Sequence, residues 1–258
     1  MGSSQNSRSS TQDGAISSRA GFADTCWTQL FEARIAASTE RCNILDFLIR
    51  RYWKPVYCYL RRAGCAEEEA KDHVQEFFAV CLRDDFFTKA DPKLGRFRNF
   101  LLTALKHFVA NARRAALAQK RHPAGGFAFI DDSAFAEEHR AALRQTETPE
   151  EIYRRTWLKE LVARVLKRLE QDCRASGKEL HYQLFHRHLV APVLEGATPL
   201  PLQELATPAG LTAKDAANRI LTVQRAFRRL LKEEIRLYAC SEEEVAEELR
   251  DLKRFLAR

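Results

Sequence analysis

The chain has 258 residues, of which 45% are hydrophobic, so it can bury substantial cores, and its length favours two compact units over one. Its net charge of +7 favours an anionic partner. No apolar run approaches the roughly 20 residues that cross a bilayer, and the Ser-rich N-terminal segment lacks the apolar core of a signal peptide. We therefore expect a cytoplasmic protein with no membrane partner, whose residues 1–23 are disordered.

The seven cysteines are scattered along the chain. They form no C-x-x-C pair, and no histidine stands at a matching metal-ligand spacing. This pattern predicts reduced thiols that act as small apolar core residues, rather than a disulfide framework or a zinc site.

Sequence signatures of enzymatic chemistry were not found. The chain has no Gly-rich phosphate loop, no nucleophile elbow and no H-E-x-x-H motif. The carboxylate pairs at residues 84–85 and 131–132 are typical of loops or helix caps, and the basic segment has no clustered acids that would hold the metal of a nuclease. We predict that the protein is not an enzyme and that it uses neither a cofactor nor a metal ion.

Almost every patterned segment repeats its apolar residues with the helical period, and none alternates convincingly as a strand does. The predicted fold class is all-α, with two helical domains joined by a partly helical linker. Pro55 and Pro149 lie inside one predicted helix and in the first turn of another. The first predicted helix opens at Trp27, and the later ones span residues 43–62, 67–82, 99–121, 149–174, 179–194, 202–206 and 212–232.

Composition divides the chain into five parts. After the disordered N-terminal segment, we predict a helical domain over residues 24–121 and a linker with one long helix over 122–177. A helix-turn-helix domain follows over 178–236, and an acidic helix capped by Ser241 occupies 237–258. We interpret this last helix as a structural cap whose Val245, Leu249, Leu252 and Leu256 pack on a neighbour, with a regulatory role as the alternative.

The segment from Pro92 to Ile130 contains no Asp or Glu, although 30% of the chain is charged. It carries eight Lys and Arg residues, with Phe97, Phe100 and Phe108 among them. Cations interleaved with aromatic rings are typical of nucleic-acid binding, because the charges follow phosphates and the rings stack on bases. An amphipathic core helix with a solvated basic face is the alternative.

Helical phase separates the rings of this segment from its charges. The three Phe residues fall on one apolar stripe with Leu101 and Leu105, so they belong to the core more readily than to a stacking surface. The DNA-facing candidates are therefore the loop before the helix and the polar residues opposite the stripe, namely Asn99, Thr103, Lys106, His107, Arg113 and Arg114.

Residues 202–232 have the pattern of a helix-turn-helix. A turn at residues 209–211 follows the short helix, and Thr212 and Asp215 form a capping pattern at the start of the long one. In such a motif the second helix enters the major groove, so Lys214 and Asn218 would read bases while Arg225, Arg229 and Lys232 would contact phosphates. An ordinary helical hairpin is the alternative, and the second basic helix elsewhere in the chain favours DNA binding.

The order of these segments resembles the sigma-70 family of RNA polymerase sigma factors. The resemblance is carried by RYWKPVYCYLRRAG, AEEEAKDHVQEFFAVCL and DPKLGRFRNFLLTALKHFVANARR, followed by the helix-turn-helix. It is closer to the extracytoplasmic-function group, which keeps only regions 2 and 4. The segments TCWTQL and TPEEIYRRTW and a tail of the EEVAEELRDL kind resemble a subgroup with an extended linker and tail. The likeness covers nearly everything after residue 24.

The resemblance implies a role for each segment. Residues 67–82 would be region 2.2, in which Asp72, Gln75 and Glu76 dock on the clamp coiled coil of core RNA polymerase. The loop 84–98 would capture a flipped base of the minus-ten element, the helix 99–121 would melt and hold the non-template strand, and residues 202–232 would read the minus-thirty-five element. The implied DNA-binding residues are Phe86, Phe87, Lys89, Arg96, Arg98, Asn99, Thr103, Lys106, His107, Asn111, Arg113, Arg114, Lys120, Arg121, Thr212, Lys214, Asn218, Arg219, Thr222, Arg225, Arg229 and Lys232.

The partners implied by the resemblance are promoter DNA and core RNA polymerase, contacted at its clamp coiled coil and its flap. An anti-sigma factor or another regulatory protein is a further candidate. The expected function is promoter recognition and melting as a sigma subunit. Two alternatives remain open: a helix-turn-helix regulator that acts without being a polymerase subunit, and a helical scaffold whose basic faces meet acidic partners.

Overall fold

The computed structural model describes residues 38–81, 86, 95–118, 147–239 and 241–256. Within these ranges the chain forms helices and no β-strand, which confirms the all-α fold class. No helix in the described ranges is long and apolar enough to span a membrane. The helix predicted to open at Trp27 and the predicted linker up to residue 146 lie outside the described residues.

The first two helices are joined by a tight left-handed turn. α1 (Ser38–Arg62) begins earlier than predicted and contains Pro55 as expected. It ends at Gly64, whose φ of 105° lets the N–H of Cys65 donate to the carbonyl of Leu60 at 3.1 Å. Glycine suits this position because a Cβ makes a positive φ costly. α2 (Glu67–Cys81) follows, with its first-turn glutamates stabilised by the helix dipole.

α3 (Phe97–Ala118) is the basic helix, and its apolar stripe faces the core as predicted. Phe97, Leu101 and Leu105 are fully buried, while Phe100 and Phe108 are half-buried against the same core. The rings therefore pack inside the protein, and the polar residues of the helix form its outer surface.

α4 (Pro149–Ala175) is the central helix of the fold. Its N-terminus is a capping box in which the N–H of Glu151 donates to Thr148 Oγ1 at 3.2 Å and the N–H of Thr148 donates to Glu151 Oε2 at 2.8 Å. Pro149 takes the first position of the helix, as predicted. The buried face, which includes Trp157 and Leu161, packs most extensively against α1.

The span predicted as one helix over residues 179–194 is interrupted by a π-helical turn. α5 (Glu179–Phe185) runs into the turn His186–Val190 and then into α6 (Ala191–Leu194). Pro192 has no N–H to donate to the carbonyl of His188, and next to it the N–H of Ala191 donates five residues back, to His186. The proline thus explains why the hydrogen bonding changes here from the α-helical to the π-helical pattern.

Two helices and an intervening turn are present at the residues where the helix-turn-helix was predicted. α7 (Leu202–Ala206) and a 3-10 turn (Thr207–Ala209) lead into α8 (Ala213–Arg236). Gly210, with a φ of 64°, allows the N–H of Leu211 to reach the carbonyl of Ala206 at 3.1 Å. Thr212 caps α8 by accepting a hydrogen bond from the N–H of Asp215 at 3.1 Å.

α9 (Glu242–Leu256) is the acidic helix at the end of the described chain. Ser241 caps it as predicted, because its hydroxyl accepts a hydrogen bond from the N–H of Glu244 at 3.2 Å. Val245 and Leu252 are buried, while Leu249 and Leu256 are half-buried, which confirms that this apolar stripe packs on neighbouring helices.

One hydrophobic cluster runs through the helices described above. α4 contacts α1 on one side and α5, α8 and α9 on the other. The helix predicted as part of a linker therefore packs on both halves of the chain. The division into two domains stays a prediction.

The central position of α4 predicts unequal effects for two leucine truncations. Leu161 is fully buried, so Leu161→Ala should lower the free energy of unfolding by about 2–5 kcal/mol through lost contacts and a cavity. Leu200 is 39% exposed, so Leu200→Ala should change it by less than about 0.5 kcal/mol. Urea unfolding measures both values, and equal values for the two variants would contradict the central role of α4.

Candidate nucleic-acid interface

The outer face of α3 is cationic and open. Lys106 lies 2.8 Å from Glu150, and this hydrogen bond holds the pKa of the Glu150 carboxyl below its usual range. Arg113 donates to the carbonyl of Ala63. Exposed ion pairs contribute only about 0–1 kcal/mol, so a phosphate group can replace such a partner. The predicted residues that are exposed on α3 are Asn99, Thr103, Lys106, His107, Asn111, Arg113 and Arg114.

The loop before α3 is represented among the described residues by Phe86 and by Gly95 and Arg96 at its end. Phe86 is half-buried, and its ring centroid lies 5.2 Å from that of Phe100. Its ring therefore packs on the core. The other aromatic and cationic residues predicted for this region, Phe87, Lys89, Lys120 and Arg121, lie outside the described residues.

α8 presents a second cationic face. Its apolar stripe, predicted from the helical period, is buried at Ala216, Ile220 and Val223. The predicted recognition residues opposite this stripe are exposed, namely Thr212, Lys214, Asn218, Thr222, Arg225, Arg229 and Lys232. The two faces, on α3 and α8, belong to different helices of the same core.

Arg219 differs from the other predicted recognition residues because it is half-buried. It lies near His181, whose pKa is lowered mainly by burial and further by the charges of Arg219 and Lys178. Arg219 thus lies at the edge of the cationic face of α8.

α2 carries the predicted polymerase-docking residues on its outer side. Asp72 and Glu76 are exposed and Gln75 is half-buried. The opposite side of the helix is held in the core, where Phe77 and Phe78 are buried. The structure therefore places the three predicted docking residues together on an accessible helix.

The two arginines at the start of α3 are held by the acidic helix α9. Arg96 pairs with Asp251 at 2.5 Å and with Glu247 at 2.7 Å. Arg98 pairs with Asp251 at 2.6 Å and with Glu248 at 3.2 Å. We call these five residues the α3–α9 ion-pair cluster. Both arginines were predicted to contact DNA, and in this structure their guanidinium groups contact carboxylates instead.

The α3–α9 ion-pair cluster is largely buried. Arg98 is 4% exposed and Glu248 is 1% exposed. The guanidinium of Arg98 also stacks on Trp157 of α4, with 4.7 Å from its carbon to the ring centroid. A charge that is removed from water requires a partner of opposite charge. The burial of Arg98 therefore depends on the carboxylates of α9, and the burial of Glu248 on α9 depends on the arginines.

Glu248 is the residue of the cluster whose pKa is shifted into the neutral range. Burial raises the pKa of the Glu248 carboxyl to about 7 and outweighs the opposite effect of Arg98 and Arg96. Among the described residues, neither carboxylate oxygen of Glu248 has a hydrogen-bond partner, because its ion pairs with Arg98 and Arg96 lack hydrogen-bond geometry. For Asp251, partial burial would raise the pKa, but the hydrogen bond from Arg96 and the charges of both arginines lower it.

No protein-family model, curated protein or solved structure matches the chain. The features of the described residues that bear on function are two exposed cationic helix faces, the exposed side of α2 and a pair of arginines held by an acidic helix.

The pKa of Glu248 predicts a pH-dependent stability. The folded state retains a proton that the unfolded chain releases, so this contribution is complete below about pH 4.5 and is lost as the pH rises through about 7. Between about pH 5 and 8, wild-type stability should fall relative to Glu248→Gln by up to about 3 kcal/mol. His181 acts in the opposite sense in both proteins and cancels in the difference. Urea unfolding at several pH values measures the stability difference between the two proteins. A difference that does not change with pH would contradict the raised pKa of Glu248.

Proposed function

We propose that the protein is a sigma subunit that binds core RNA polymerase through α2 and promoter DNA through α3 and α8. The observation that carries the proposal is the presence of two exposed cationic faces on separate helices of one chain. A regulator that binds only duplex DNA would use the face on α8, and its function would not account for the cationic face on α3. Polymerase binding would place the protein in the cytoplasm.

The geometry of α8 supports reading of a duplex. The capped N-terminus at Thr212 places Lys214 and Asn218 in the first two turns, where a recognition helix meets base edges. Arg225 and Arg229 follow on the same exposed face, where they could pair with phosphates and position the helix. This arrangement fits recognition of the minus-thirty-five element.

The face on α3 supports binding of a separated strand. Its cations can follow phosphates, and its exposed amides at Asn99 and Asn111 can contact bases or backbone. Extruding a base costs a few kcal/mol, which such contacts help to offset. Because the Phe rings pack on the core, this face would bind DNA through phosphate and polar contacts.

The polymerase contact of the proposal relies on the exposed side of α2. Asp72 and Glu76 give it acidic groups that can pair with a basic partner surface and speed association. Because the buried side of α2 is anchored by Phe77 and Phe78, the docking residues stand on a rigid element.

The proposal also requires α9 to move. Arg96 and Arg98 belong to the segment assigned to the minus-ten element, and Glu247, Glu248 and Asp251 compete with phosphates for them. The described conformation is thus a closed one in which the tail neutralises part of the DNA-binding surface. Promoter binding would exchange carboxylates for phosphates.

A helix-turn-helix regulator that acts without polymerase is the second candidate, because the face on α8 alone could bind an operator. It predicts duplex binding that does not depend on core enzyme. Promoter-selective transcription reconstituted with core enzyme would exclude it.

Two pairs of substitutions separate the polymerase contact from the DNA contact. Asp72→Ala with Gln75→Ala should weaken binding to core enzyme about tenfold or more and leave binding to single-stranded DNA unchanged. Lys106→Ala with Arg114→Ala should lower promoter melting and leave core binding unchanged. Glu68→Ala, an exposed change on the same helix as Asp72, is the control. If wild-type protein fails to bind core enzyme, the sigma proposal is wrong.

Weakening the α3–α9 ion-pair cluster should increase DNA affinity. Glu247→Gln with Asp251→Asn removes two carboxylates without deleting the helix, so Arg96 and Arg98 become available to phosphates. On single-stranded DNA, the slope of log affinity against log salt should steepen by about 0.7 for each arginine that gains a phosphate. Glu243→Gln, at an exposed position of α9, is the control. An unchanged slope in a folded double variant would contradict the competition.

A further inference from the structure

Three side chains with metal-binding groups lie together where α2 begins. Cys65, Glu69 and His73 are spaced by four residues, so they project from the same side of the turn and helix. One ligand atom from each, the thiol sulfur, a carboxylate oxygen and a ring nitrogen, lies within 4.8 Å of the other two. Nε2 of His73 is 3.6 Å from Oε1 of Glu69.

Local hydrogen bonds hold two of these groups in place. The left-handed turn at Gly64 fixes the backbone of Cys65 through its bond to Leu60. Oε2 of Glu69 accepts a hydrogen bond from the N–H of Ala66 at 3.1 Å, which leaves Oε1 directed towards His73.

The ring of His73 is oriented by two neighbours. Nδ1 lies 3.3 Å from Oε2 of Glu76, and the ring meets that of Phe108 edge-on, with centroids 5.8 Å apart. When Nδ1 donates its proton to Glu76, Nε2 keeps a lone pair on the side of Glu69. A carboxylate that accepts from the far nitrogen is the usual support of a metal-ligating histidine.

In the part of the chain that the structure describes, the Glu69 carboxylate pairs with a histidine and not with a lysine. Of the three glutamates in the first turn of α2, Glu67 and Glu68 pair with Lys71, at 3.6 and 2.8 Å. The ion pair that Glu69 forms within the described ranges is with His73. Its carboxylate can therefore serve a cation without breaking a lysine pair.

We propose that Cys65, Glu69 and His73 bind a zinc ion, with water in the fourth position. Sulfur, imidazole and carboxylate are the ligands that zinc takes in tetrahedral sites, whereas calcium and magnesium prefer oxygen. Ligand atoms about 2.0–2.3 Å from a tetrahedral zinc ion are roughly 3.3–3.8 Å apart. Side-chain shifts of about 1 Å would therefore bring the three ligand atoms to zinc-binding distances. Burial, together with Glu69, raises the pKa of the Cys65 thiol, so zinc binding releases the thiol proton to solvent.

The position of this site suggests a regulatory effect that rests on the proposed function. Glu76 is a predicted docking residue, and it would become the hydrogen-bond acceptor of the zinc-bound His73. Zinc would thus hold Glu76 against α2, and we expect weaker binding to core RNA polymerase when the site is filled.

Cobalt binding to the reduced full-length chain tests the site directly. Co²⁺ replaces Zn²⁺ at such sites and gives a thiolate charge-transfer band, which zinc then removes by displacement. We expect this band in wild-type protein and in Glu68→Gln, and its loss in Cys65→Ser. Glu69→Gln and Glu76→Gln should bind zinc about tenfold more weakly or worse. An unchanged band in Cys65→Ser would overturn the proposal.

Alkylation provides a readout that does not depend on a folded variant. In wild-type protein, zinc should slow modification of Cys65 and leave that of the buried Cys173 unchanged, as measured by mass spectrometry of peptides. Absence of protection at Cys65 would contradict the site.

Core-enzyme binding with and without zinc separates the two hypotheses. If the cobalt band is present but the protein never binds core enzyme, the sigma proposal fails while the metal site stands. If core enzyme binds equally with and without zinc, the regulatory effect is wrong. Loss of the zinc effect in Cys65→Ser would support both.

Discussion

The burial of Arg98 is the constraint on which the arrangement of the C-terminal helix depends. A guanidinium that is removed from water must be paired, and its partners here come from α9, about 150 residues further along the chain. Trp157 of α4 covers the other side of the same group. The start of the basic helix, the central helix and the acidic tail are therefore fixed together by one charged side chain and its carboxylates.

This constraint gives the tail more than a packing role. The apolar side of α9 contributes Val245 and Leu252 to the core, and its acidic side neutralises Arg96 and Arg98. A phosphate backbone carries the same sign of charge as these carboxylates, so in the proposed function DNA and α9 would exclude each other at the two arginines. In the proposed mechanism, DNA binding at Arg96 and Arg98 requires release of the tail. The free energy needed for this release lowers DNA affinity, so the tail acts as an internal competitor.

Local sequence signals predicted most of the fold. Helical period placed the stripes of α3 and α8, and Pro149, Thr212 and Ser241 marked helix starts that the structure confirms. Contacts between distant segments could not be predicted in this way. Glu248 is an example: it is a charged residue at a buried position of α9 beside Val245, and only its partners on α3 explain its burial.

The cluster of Cys65, Glu69 and His73 was missed for a different reason. Zinc motifs that are recognisable in a sequence consist of Cys and His at known spacings, whereas this set includes a carboxylate at the helical spacing of four.

The central claim, that α9 and DNA exclude each other at Arg96 and Arg98, is tested most directly by hydrogen exchange of the α9 amides. The account predicts slow exchange in the free protein and faster exchange when promoter DNA and core enzyme are bound. Equal protection of α9 in the free protein and in an active promoter complex would contradict it.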